Sequence, residues 1–320
     1  MGARVFLLAQ QNSLSPDSGP AHDIRTLWWW MLAIASVVFL GAVAMLLVGW
    51  VRRRREGLPL LGNAERTTTS LVVVFGMVIP IIVLSLVFVF GDIIVLRETD
   101  APAAGTTRLT VRVIGHQWWW EVRYPGSPAV TANEIHIPVG VPVRVSGTSA
   151  DVINSFWVPE LNRKVDFEPG YQNALLLQAD KPGRYRGQCA EFCGLQHAHM
   201  SFWVVADPPG RFRTWLAQQG TSAARSPGGS AGRGEQVFMA QACSSCHQIR
   251  GTEARGTVGS DLTHIASRSS LAALTIPNTA RDLAAWISDP QHVKPGNKMP
   301  GLNLDKEQVA ELVAYLRELR

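Results

Sequence analysis

Two cysteines, a histidine and a methionine lie within one short stretch of this chain. Cys189, Cys193, His197 and Met200 follow the pattern Cys-x3-Cys-x3-His-x2-Met. Thiolate and thioether sulfur are soft ligands that suit copper, whereas zinc sites draw on cysteine, histidine and carboxylates. The pattern therefore predicts a copper site. A structural zinc loop or a disulfide is the alternative, but neither would give Met200 a role.

A second group of residues with redox chemistry forms Cys243-Ser-Ser-Cys-His247. Cys-x2-Cys-His is the attachment motif of c-type haem, in which Cys243 and Cys246 bind the haem covalently and His247 is an axial iron ligand. A thioredoxin-like cysteine pair is the alternative, but the adjoining histidine and the lack of a βαβ pattern disfavour it. The motif therefore predicts haem c.

A second axial ligand is expected from the loop Asn297-Lys-Met-Pro-Gly301, which supplies Met299. Thioether ligation raises the haem potential into a range that suits acceptance of electrons from a soluble cytochrome. Met239 is the rival ligand, although it lies too close in sequence to the attachment motif to reach the opposite face of the haem. We therefore predict His247 and Met299 as the axial pair.

The composition indicates membrane segments and argues against a nucleic-acid partner. Of 320 residues, 47% are hydrophobic and only 17% are charged, which is more apolar than soluble domains require. The net charge is +5, but its densest run, Arg52–Arg55, lies beside an apolar segment, and no basic stripe with interleaved aromatic residues occurs. All four cysteines belong to the two motifs, so none remains for a structural disulfide.

Two apolar runs, residues 27–51 and 71–96, are long enough to cross the hydrocarbon core as helices. Trp28–Trp30 resembles an interfacial aromatic belt, and the basic run Arg52–Arg55 marks the cytoplasmic side. Both chain ends are therefore expected outside the cytoplasm. Pro80 is expected to kink the second helix. A buried helix of a soluble protein is the alternative for the first run.

Beyond the membrane, short alternating apolar stretches separated by Gly-rich and Pro-Gly turns predict an antiparallel sandwich or barrel. Those stretches are 109–114, 134–137, 141–145, 174–178, 184–187 and 201–205. A Gly-, Ser- and Ala-rich stretch then predicts a flexible linker before a helix that starts near Gly234. The predicted layout is an amino-terminal segment 1–24 whose processing stays open, a helical hairpin 25–98, an all-β domain 105–210, a linker 218–234 and an all-α domain 235–320.

The stretch around Cys189–Met200, with Gly187 and Gln188 before it, resembles the binuclear copper loop of cytochrome c oxidase subunit II. Further matches flank it in order and spacing: residues 116–120, 133–140, 151–159 and 166–170. Together they cover most of residues 25–206. The haem motif makes the caa type, with a fused cytochrome c domain, the nearest match. The resemblance implies a membrane protein with a two-helix transmembrane hairpin, a cupredoxin copper domain and an all-α cytochrome c domain.

The resemblance also implies roles for individual residues. Cys189 and Cys193 would bridge two coppers, with His197 and the carbonyl of Glu191 on one copper. Met200 would ligate the other copper together with a histidine that is replaced here by Asn154. An amide oxygen is a hard, weak donor for such a copper.

Two further roles come from the same resemblance. Trp118 would be the entry point for electrons, with a purely structural core aromatic as the alternative. Glu191 would also reach a magnesium ion at the subunit interface. The family's proton-route Glu and its neighbouring Trp correspond to Val73 and Gly76, so proton uptake through this chain does not carry over.

The function implied is the electron-entry subunit of a haem–copper oxidase in the bacterial inner membrane, with both soluble domains on the periplasmic side. Electrons would pass from a cytochrome c through haem c and copper to haem a in subunit I, with subunit III as a further partner. The sequence has no intramembrane histidine cluster, so O2 reduction belongs to another subunit. A quinol-oxidising relative with a degenerate copper site and a copper-storage or sensing haem protein are the alternatives.

Overall fold

The computed structural model describes residues 11–54, 65–223 and 228–320. The apolar patch Val5–Ala9, Arg55 of the basic run and residues 224–227 of the predicted linker lie outside these described residues. The chain forms two compact units, of which one is His22–Thr99 and the other contains Asp100–Arg320.

Two helices among the described residues are long and apolar enough to span a membrane. The first span is Gly19–Val51, with a mean hydropathy of 2.7, within a helix that continues to Arg54. The second is Thr69–Phe90, with a mean hydropathy of 3.1. Neither apolar window is buried inside the structure, which suits contact with lipid. The two predicted apolar helices are confirmed, and the first begins earlier than the predicted residue 27.

The second span is not a uniform α-helix. The helical segment that contains it, residues 65–99, consists of helices Glu65–Val73, Ile79–Phe90 and Arg97–Thr99, separated by π-helical turns at Val74–Val78 and Gly91–Leu96. Pro80 follows the first π-helical turn and lies in the first turn of the middle helix. Proline there lacks an N–H and crowds the preceding turn, and a π-helical turn accommodates both effects.

Residues 109–207, all of which the structure describes, form a sandwich of two five-stranded sheets, called here the sandwich domain. The strands are β1 Leu109–His116, β2 Trp119–Arg123, β3 Val130–Ala132, β4 Glu134–Pro138, β5 Val143–Ser149, β6 Asn154–Trp157, β7 Val165–Phe167, β8 Asn173–Leu177, β9 Gly183–Cys189 and β10 Ser201–Asp207. The sheet orders are β3-β2-β1-β5-β8 and β4-β10-β9-β6-β7.

The predicted sandwich is present, but the prediction of purely antiparallel pairing is wrong. Strand β1 pairs in parallel with β5, and β4 pairs in parallel with β10. Strands β2, β3, β6 and β7 were absent from the sequence prediction. Strands β3, β6 and β7 have only three or four residues, and β2 does not alternate between buried and exposed positions, so none of them gives a periodic signal.

An aromatic cluster fills the space between the sheets beneath the end of β9. Trp120 lies edge-on to Phe156 and Phe202, with ring centroids 5.7 and 5.3 Å apart, and all three are fully buried. Gly187 on β9 lies directly against the ring of Phe202, because a Cβ at this position would be 2.2 Å from Cζ. Glycine is required here for close packing, which fixes the strand that leads to Cys189.

Residues 228–320, all described, form the C-terminal domain. Its helices are Gly229–Ala240, Cys243–Cys246, Ala280–Ser288, Pro290–Val293 and Lys306–Glu318, and a two-stranded ladder joins β11 Ser270–Leu271 to β12 Ile276–Pro277. The first helix begins at Gly229 and not near Gly234. It crosses the last helix closely at Gly234, where a Cβ would lie 2.0 Å from the carbonyl oxygen of Glu311.

The stretch predicted as a flexible linker differs from that prediction over its described residues. A helix, Pro209–Gln219, covers its beginning. Arg250 donates to the carbonyl of Gln219 at 2.6 Å, and Ala223 donates to the carbonyl of Arg250 at 2.8 Å. These hydrogen bonds attach residues 219–223 to the C-terminal domain.

The packing at Gly187 yields a stability prediction. Gly187→Ala forces its new methyl into the Phe202 ring, and overpacking of this kind costs about 1–3 kcal/mol. We expect a lower thermal unfolding temperature for the purified full-length chain in detergent. Gly183→Ala on the same strand is the control, since its Cβ would find no atom closer than 3.6 Å. Equal melting of both variants would contradict this account of the β9 packing.

Candidate copper and haem sites

The cysteine loop, residues 189–200, connects the ends of two paired strands. Cys189 is the last residue of β9, and Met200 directly precedes β10. The Cys189 N–H donates to the Met200 carbonyl at 2.9 Å, so the β9–β10 ladder closes the base of the loop. Gly194 takes a positive φ of 109° within it. The loop is therefore held at both ends by a buried sheet.

The structure brings the predicted ligand side chains together at this loop. The Sγ atoms of Cys189 and Cys193 are 3.6 Å apart, and Cys193 Sγ lies 3.7 Å from both His197 Nδ1 and Met200 Sδ. The ligand atoms of the two cysteines and His197 all lie within 4.8 Å of one another. Both cysteines are free thiols, and they are buried together with Met200. Two thiols, an imidazole and a thioether in this arrangement fit a soft metal such as copper.

The two thiols influence each other's protonation. The sulfur–sulfur contact with Cys193 lowers the pKa of Cys189 to about 6, against the opposing effect of burial. The same contact and burial raise the pKa of Cys193. Before metal binding, the pair therefore favours one thiolate next to one thiol. A metal that binds both sulfurs displaces the remaining proton, so its affinity rises with pH.

Glu191 contributes to the cluster through its backbone. Its carbonyl oxygen lies 3.2 Å from Cys189 Sγ, so this oxygen faces the thiols. Its carboxylate lies instead at the surface, 3.6 Å from Lys164 Nζ. The carbonyl of Glu191 is thus available to the thiol cluster, and its carboxylate is available at the surface.

Asn154 begins β6 and reaches the thiol cluster. Its side chain is fully buried, and its amide nitrogen donates to Ser149 Oγ and to the Val152 carbonyl, both at 2.9 Å. Since a carbonyl only accepts, these partners fix the orientation of the amide. Its oxygen faces Cys189 Sγ at 3.8 Å. Asn154 therefore presents a hard oxygen donor to the cluster.

The three consecutive tryptophans have three different environments. Trp120 belongs to the core, and Trp119 stacks on His116 with ring centroids 4.3 Å apart. Trp118 Nε1 donates to the Cys193 carbonyl at 2.9 Å, and Gln117 Nε2 donates to the same oxygen at 2.8 Å. Trp118 is therefore hydrogen-bonded directly to a predicted ligand residue, whereas Gln117 was missed by sequence reasoning.

His199 is not part of the cluster. Its Nδ1 is 2.8 Å from Gln196 Oε1, and its carbonyl accepts a hydrogen bond from Lys294 Nζ at 3.0 Å. The ring thus pairs with the side chain of Gln196 and not with a thiol, and the carbonyl faces Lys294 outside the cysteine loop. This agrees with the choice of His197 as the predicted ligand.

The haem motif forms one helical turn, Cys243–Cys246, followed by His247. His247 Nδ1 lies 2.7 Å from the Ser260 carbonyl, so Nδ1 carries the proton. Nε2 is then unprotonated, and its lone pair is available to a metal. Burial lowers the pKa of His247, which keeps the ring neutral. Two free thiols one turn apart, next to an imidazole oriented in this way, fit a covalently bound haem.

The two candidate methionines differ in their surroundings. Met239 packs against the hydrophobic core of the C-terminal domain from the helix Gly229–Ala240. Met299 lies in a loop, where its N–H donates to Asn297 Oδ1 at 2.8 Å and its carbonyl accepts from Gln291 Nε2 at 3.1 Å. The backbone of Met299 is thus held while its side chain is outside the core cluster, which suits a ligand supplied by a loop.

Together these features define a class of protein: a membrane-attached electron-transfer protein with a sulfur-rich copper-type site and a c-type haem domain. Residues 128–207 match the family described as cytochrome c oxidase subunit II, periplasmic domain, and residues 231–320 match cytochrome c. The chain belongs to the cytochrome c oxidase subunit II family, in the form that carries a fused cytochrome c domain.

Two sequence relatives agree with this assignment. Cytochrome c oxidase subunit 2 of Alkalihalophilus pseudofirmus is 33% identical over 95% of this chain and 89% of that protein. The corresponding protein of Bacillus sp. strain PS3 is 30% identical over 76% of this chain and 72% of its own length. The periplasmic domain of subunit II (CoxB) of Bradyrhizobium japonicum, known from a crystal structure, is 30% identical; the match covers 37% of this chain and 96% of that chain, with a TM-score of 0.35.

Family membership establishes the general function. The chain is an electron-entry subunit of a haem–copper oxidase and associates with other oxidase subunits. Its family implies copper, its cytochrome c domain implies haem c, and its two apolar helices accompany a periplasmic domain. The oxidoreductase activity is that of the complex to which the chain contributes.

The packing of His247 yields a prediction about haem ligation. Gly259 lies directly against this ring, since a Cβ there would be 2.5 Å from His247 Cε1. Gly259→Ala should displace the imidazole while leaving Cys243 and Cys246 free to attach haem. We expect a haem-staining protein whose absorption and electron paramagnetic resonance spectra contain a high-spin fraction. Gly232→Ala, which meets no atom within 4 Å, is the control. An unchanged spin state would contradict the assignment of His247.

Proposed function

We propose that this chain takes electrons from a cytochrome c and delivers them, through haem c and a modified copper site, to subunit I of a cytochrome c oxidase. When bound, haem c and copper supply one-electron carriers, and the residues of the chain hold and orient them. The observation that carries the proposal is the cluster of two buried thiols, a buried thioether and a half-buried imidazole on a chain that also has a haem-attachment motif.

The proposed ligand sets follow the geometry of the two sites. Copper would be held by Cys189, Cys193, His197, Met200 and the Glu191 carbonyl, whose atoms already face one another. Haem would be attached through Cys243 and Cys246, with His247 and Met299 as iron ligands. Trp118 would be the point of electron entry, which is supported by its hydrogen bond to the Cys193 carbonyl.

Several finer points of the proposal concern partners. The exposed carboxylate of Glu191 is a hard oxygen donor that suits magnesium at the contact with subunit I. Subunit III and a soluble cytochrome c are proposed as further partners. The bacterial inner membrane is the proposed location, with both soluble domains on the periplasmic side. Val73 and Gly76 offer no carboxylate, so the proposal assigns no proton route to these two positions.

The intact sulfur and imidazole cluster favours this function over a quinol-oxidising one. A subunit that has lost copper chemistry has no need for two buried thiols, His197 and Met200 at contact distance. Copper storage would not require the fused haem domain. Reduction of haem by added cytochrome c, followed by oxidation through the copper site, distinguishes the proposed relay from both alternatives.

Asn154 makes the proposed copper site one-sided. The copper on the Met200 side would have the two cysteines and Met200, a sulfur set that favours the cuprous state, with only an amide oxygen from Asn154. We expect weaker copper binding on that side and an electron that is not shared equally by two coppers.

Replacing Asn154 tests this asymmetry. Asn154→His should raise the copper content to about two per chain and give the hyperfine pattern of an electron shared by two nuclei, because imidazole is a better copper donor than an amide. Copper analysis and electron paramagnetic resonance measure both effects. Asn154→Ala is the matched variant that removes the oxygen and adds no donor. If the unmodified chain already shows two coppers and a shared electron, the one-sided site is wrong.

The axial assignment of the haem is tested by a pair of methionine variants. Met299→Leu keeps apolar volume but removes the thioether, so the haem should stay attached and its reduction potential should fall. Met239→Leu should leave the potential unchanged, since this side chain packs in the core. Redox titration of the purified proteins measures both. If the haem reduction potential fell in the Met239→Leu variant alone, Met239 would be identified as the axial ligand.

A further inference from the structure

Lys294 of the C-terminal domain has its charged end buried against the sandwich domain. The residue is only 3% exposed and follows the helix Pro290–Val293. Its ammonium donates to the Trp118 carbonyl at 3.1 Å, to the His199 carbonyl at 3.0 Å and to the Ala272 carbonyl at 2.9 Å. Three carbonyls occupy all three N–H groups of the ammonium.

The acceptors come from both domains. Trp118 and His199 belong to the sandwich domain, whereas Ala272 belongs to the C-terminal domain. Among the described residues, no carboxylate forms an ion pair with Lys294. Burial of a charged group is costly unless its hydrogen bonds are replaced, so this contact depends on all three carbonyls being in place. One ammonium therefore connects the two domains at a defined position.

The backbone that presents Ala272 is strained. Ala272, Ala273 and Leu274 have φ values of 53°, 57° and 65°, in the left-handed region that residues other than glycine rarely adopt. Such a conformation costs about 1–2 kcal/mol per residue. Thr275 Oγ1 donates to the Ala272 carbonyl at 2.6 Å, beside the bond from Lys294. The turn thus holds its carbonyl toward Lys294 at the expense of local conformational energy.

Neighbouring residues extend the contact along the cysteine loop. Gln196 Nε2 donates to the Pro295 carbonyl at 2.6 Å, and a Cβ on Gly296 would lie 2.9 Å from Leu195 Cδ1. Lys298 Nζ pairs with Asp151 Oδ2 at 3.1 Å. Residues 294–298, which lead directly to Met299, therefore lie against the cysteine loop and the turn before Asn154.

We propose that Lys294 is a positioning residue that fixes the loop carrying Met299 against the cysteine loop. Two hydrogen bonds in series then connect Lys294 of the C-terminal domain to Cys193, a proposed copper ligand. Lys294 donates to the Trp118 carbonyl, and the Trp118 indole donates to the Cys193 carbonyl. Electron transfer between the two sites occurs within one fixed arrangement and needs no diffusive search by the C-terminal domain. This inference rests on the proposed function, which supplies the two redox sites.

Lys294→Met tests the proposal, because methionine keeps an apolar stem and removes the ammonium. Lys306→Met is the matched control, since Lys306 is exposed at the start of the last helix. Hydrogen exchange is measured first on copper-free, haem-loaded full-length chain, in peptides from the cysteine loop and from residues 290–299. We expect exchange in both regions to rise about tenfold in Lys294→Met, as loss of a charge-assisted hydrogen bond implies, and to stay unchanged in the control.

The second measurement is the rate of electron transfer from haem to copper after rapid photoreduction of the copper-loaded chain, together with the two midpoint potentials. We expect the rate to fall about tenfold, by more than the change in driving force from the two measured midpoint potentials accounts for, because loss of a buried positive charge near Cys193 can itself shift the copper potential. If Lys294→Met does not fold, Gln196→Ala weakens the same contact from the other domain and should raise exchange in residues 290–299.

Two results would overturn the proposal: exchange equal to that of the control, or faster exchange with an unchanged electron-transfer rate, because Lys294 would then be merely structural. An unmodified chain that binds no copper would instead refute the proposed function, while the hydrogen-exchange result on copper-free protein would still stand.

Discussion

The hydrogen bond from the Cys189 N–H to the Met200 carbonyl is the interaction on which the copper-type site depends. It continues the β9–β10 ladder to the base of the cysteine loop and so holds the first and last proposed ligands next to each other. Beneath it, the Phe202 ring packs so closely on Gly187 that a side chain at position 187 would clash with it. The remaining ligands lie on a short loop whose two ends are fixed. The entropy cost of ordering these ligands is therefore small.

Two backbone carbonyls of the cysteine loop, those of Cys193 and His199, accept hydrogen bonds from outside the loop, whereas the Glu191 carbonyl faces the thiols. The Cys193 carbonyl accepts from Gln117 and Trp118, and the His199 carbonyl accepts from Lys294. Because buried carbonyls need partners, these external donors satisfy the Cys193 and His199 carbonyls from outside, and the groups that face one another inside the loop are the thiols, the imidazole, the thioether and the Glu191 carbonyl. The donors come from β-strand connections and from the C-terminal domain, so the site and the domain contact stabilise each other.

Local signals in the sequence were sufficient for the parts of this protein whose chemistry lies in neighbouring residues. Cys243, Cys246 and His247 form one motif, and the apolar spans need only length and composition. The parallel pairing of β1 with β5 depends on the path of the chain and leaves no trace in the alternation of either strand. Lys294 was missed because its partners, Trp118 and His199, are distant in sequence and contribute only backbone atoms, which no side-chain pattern reveals.

The fixed surroundings of Asn154 limit the ways in which it can replace a histidine. Turning its amide so that nitrogen faced the thiols would break the bonds to Ser149 and Val152 and place an oxygen against the Val152 carbonyl. Each lost bond of this kind costs about 1 kcal/mol, and the carbonyl–oxygen contact adds repulsion. The oxygen therefore stays toward Cys189, while the amide nitrogen lies against Gly115 of β1, where a Cβ would be 2.9 Å from it. The difference from a two-histidine site thus resides in the softness of one donor atom, while the geometry that brings this donor to the cluster is retained.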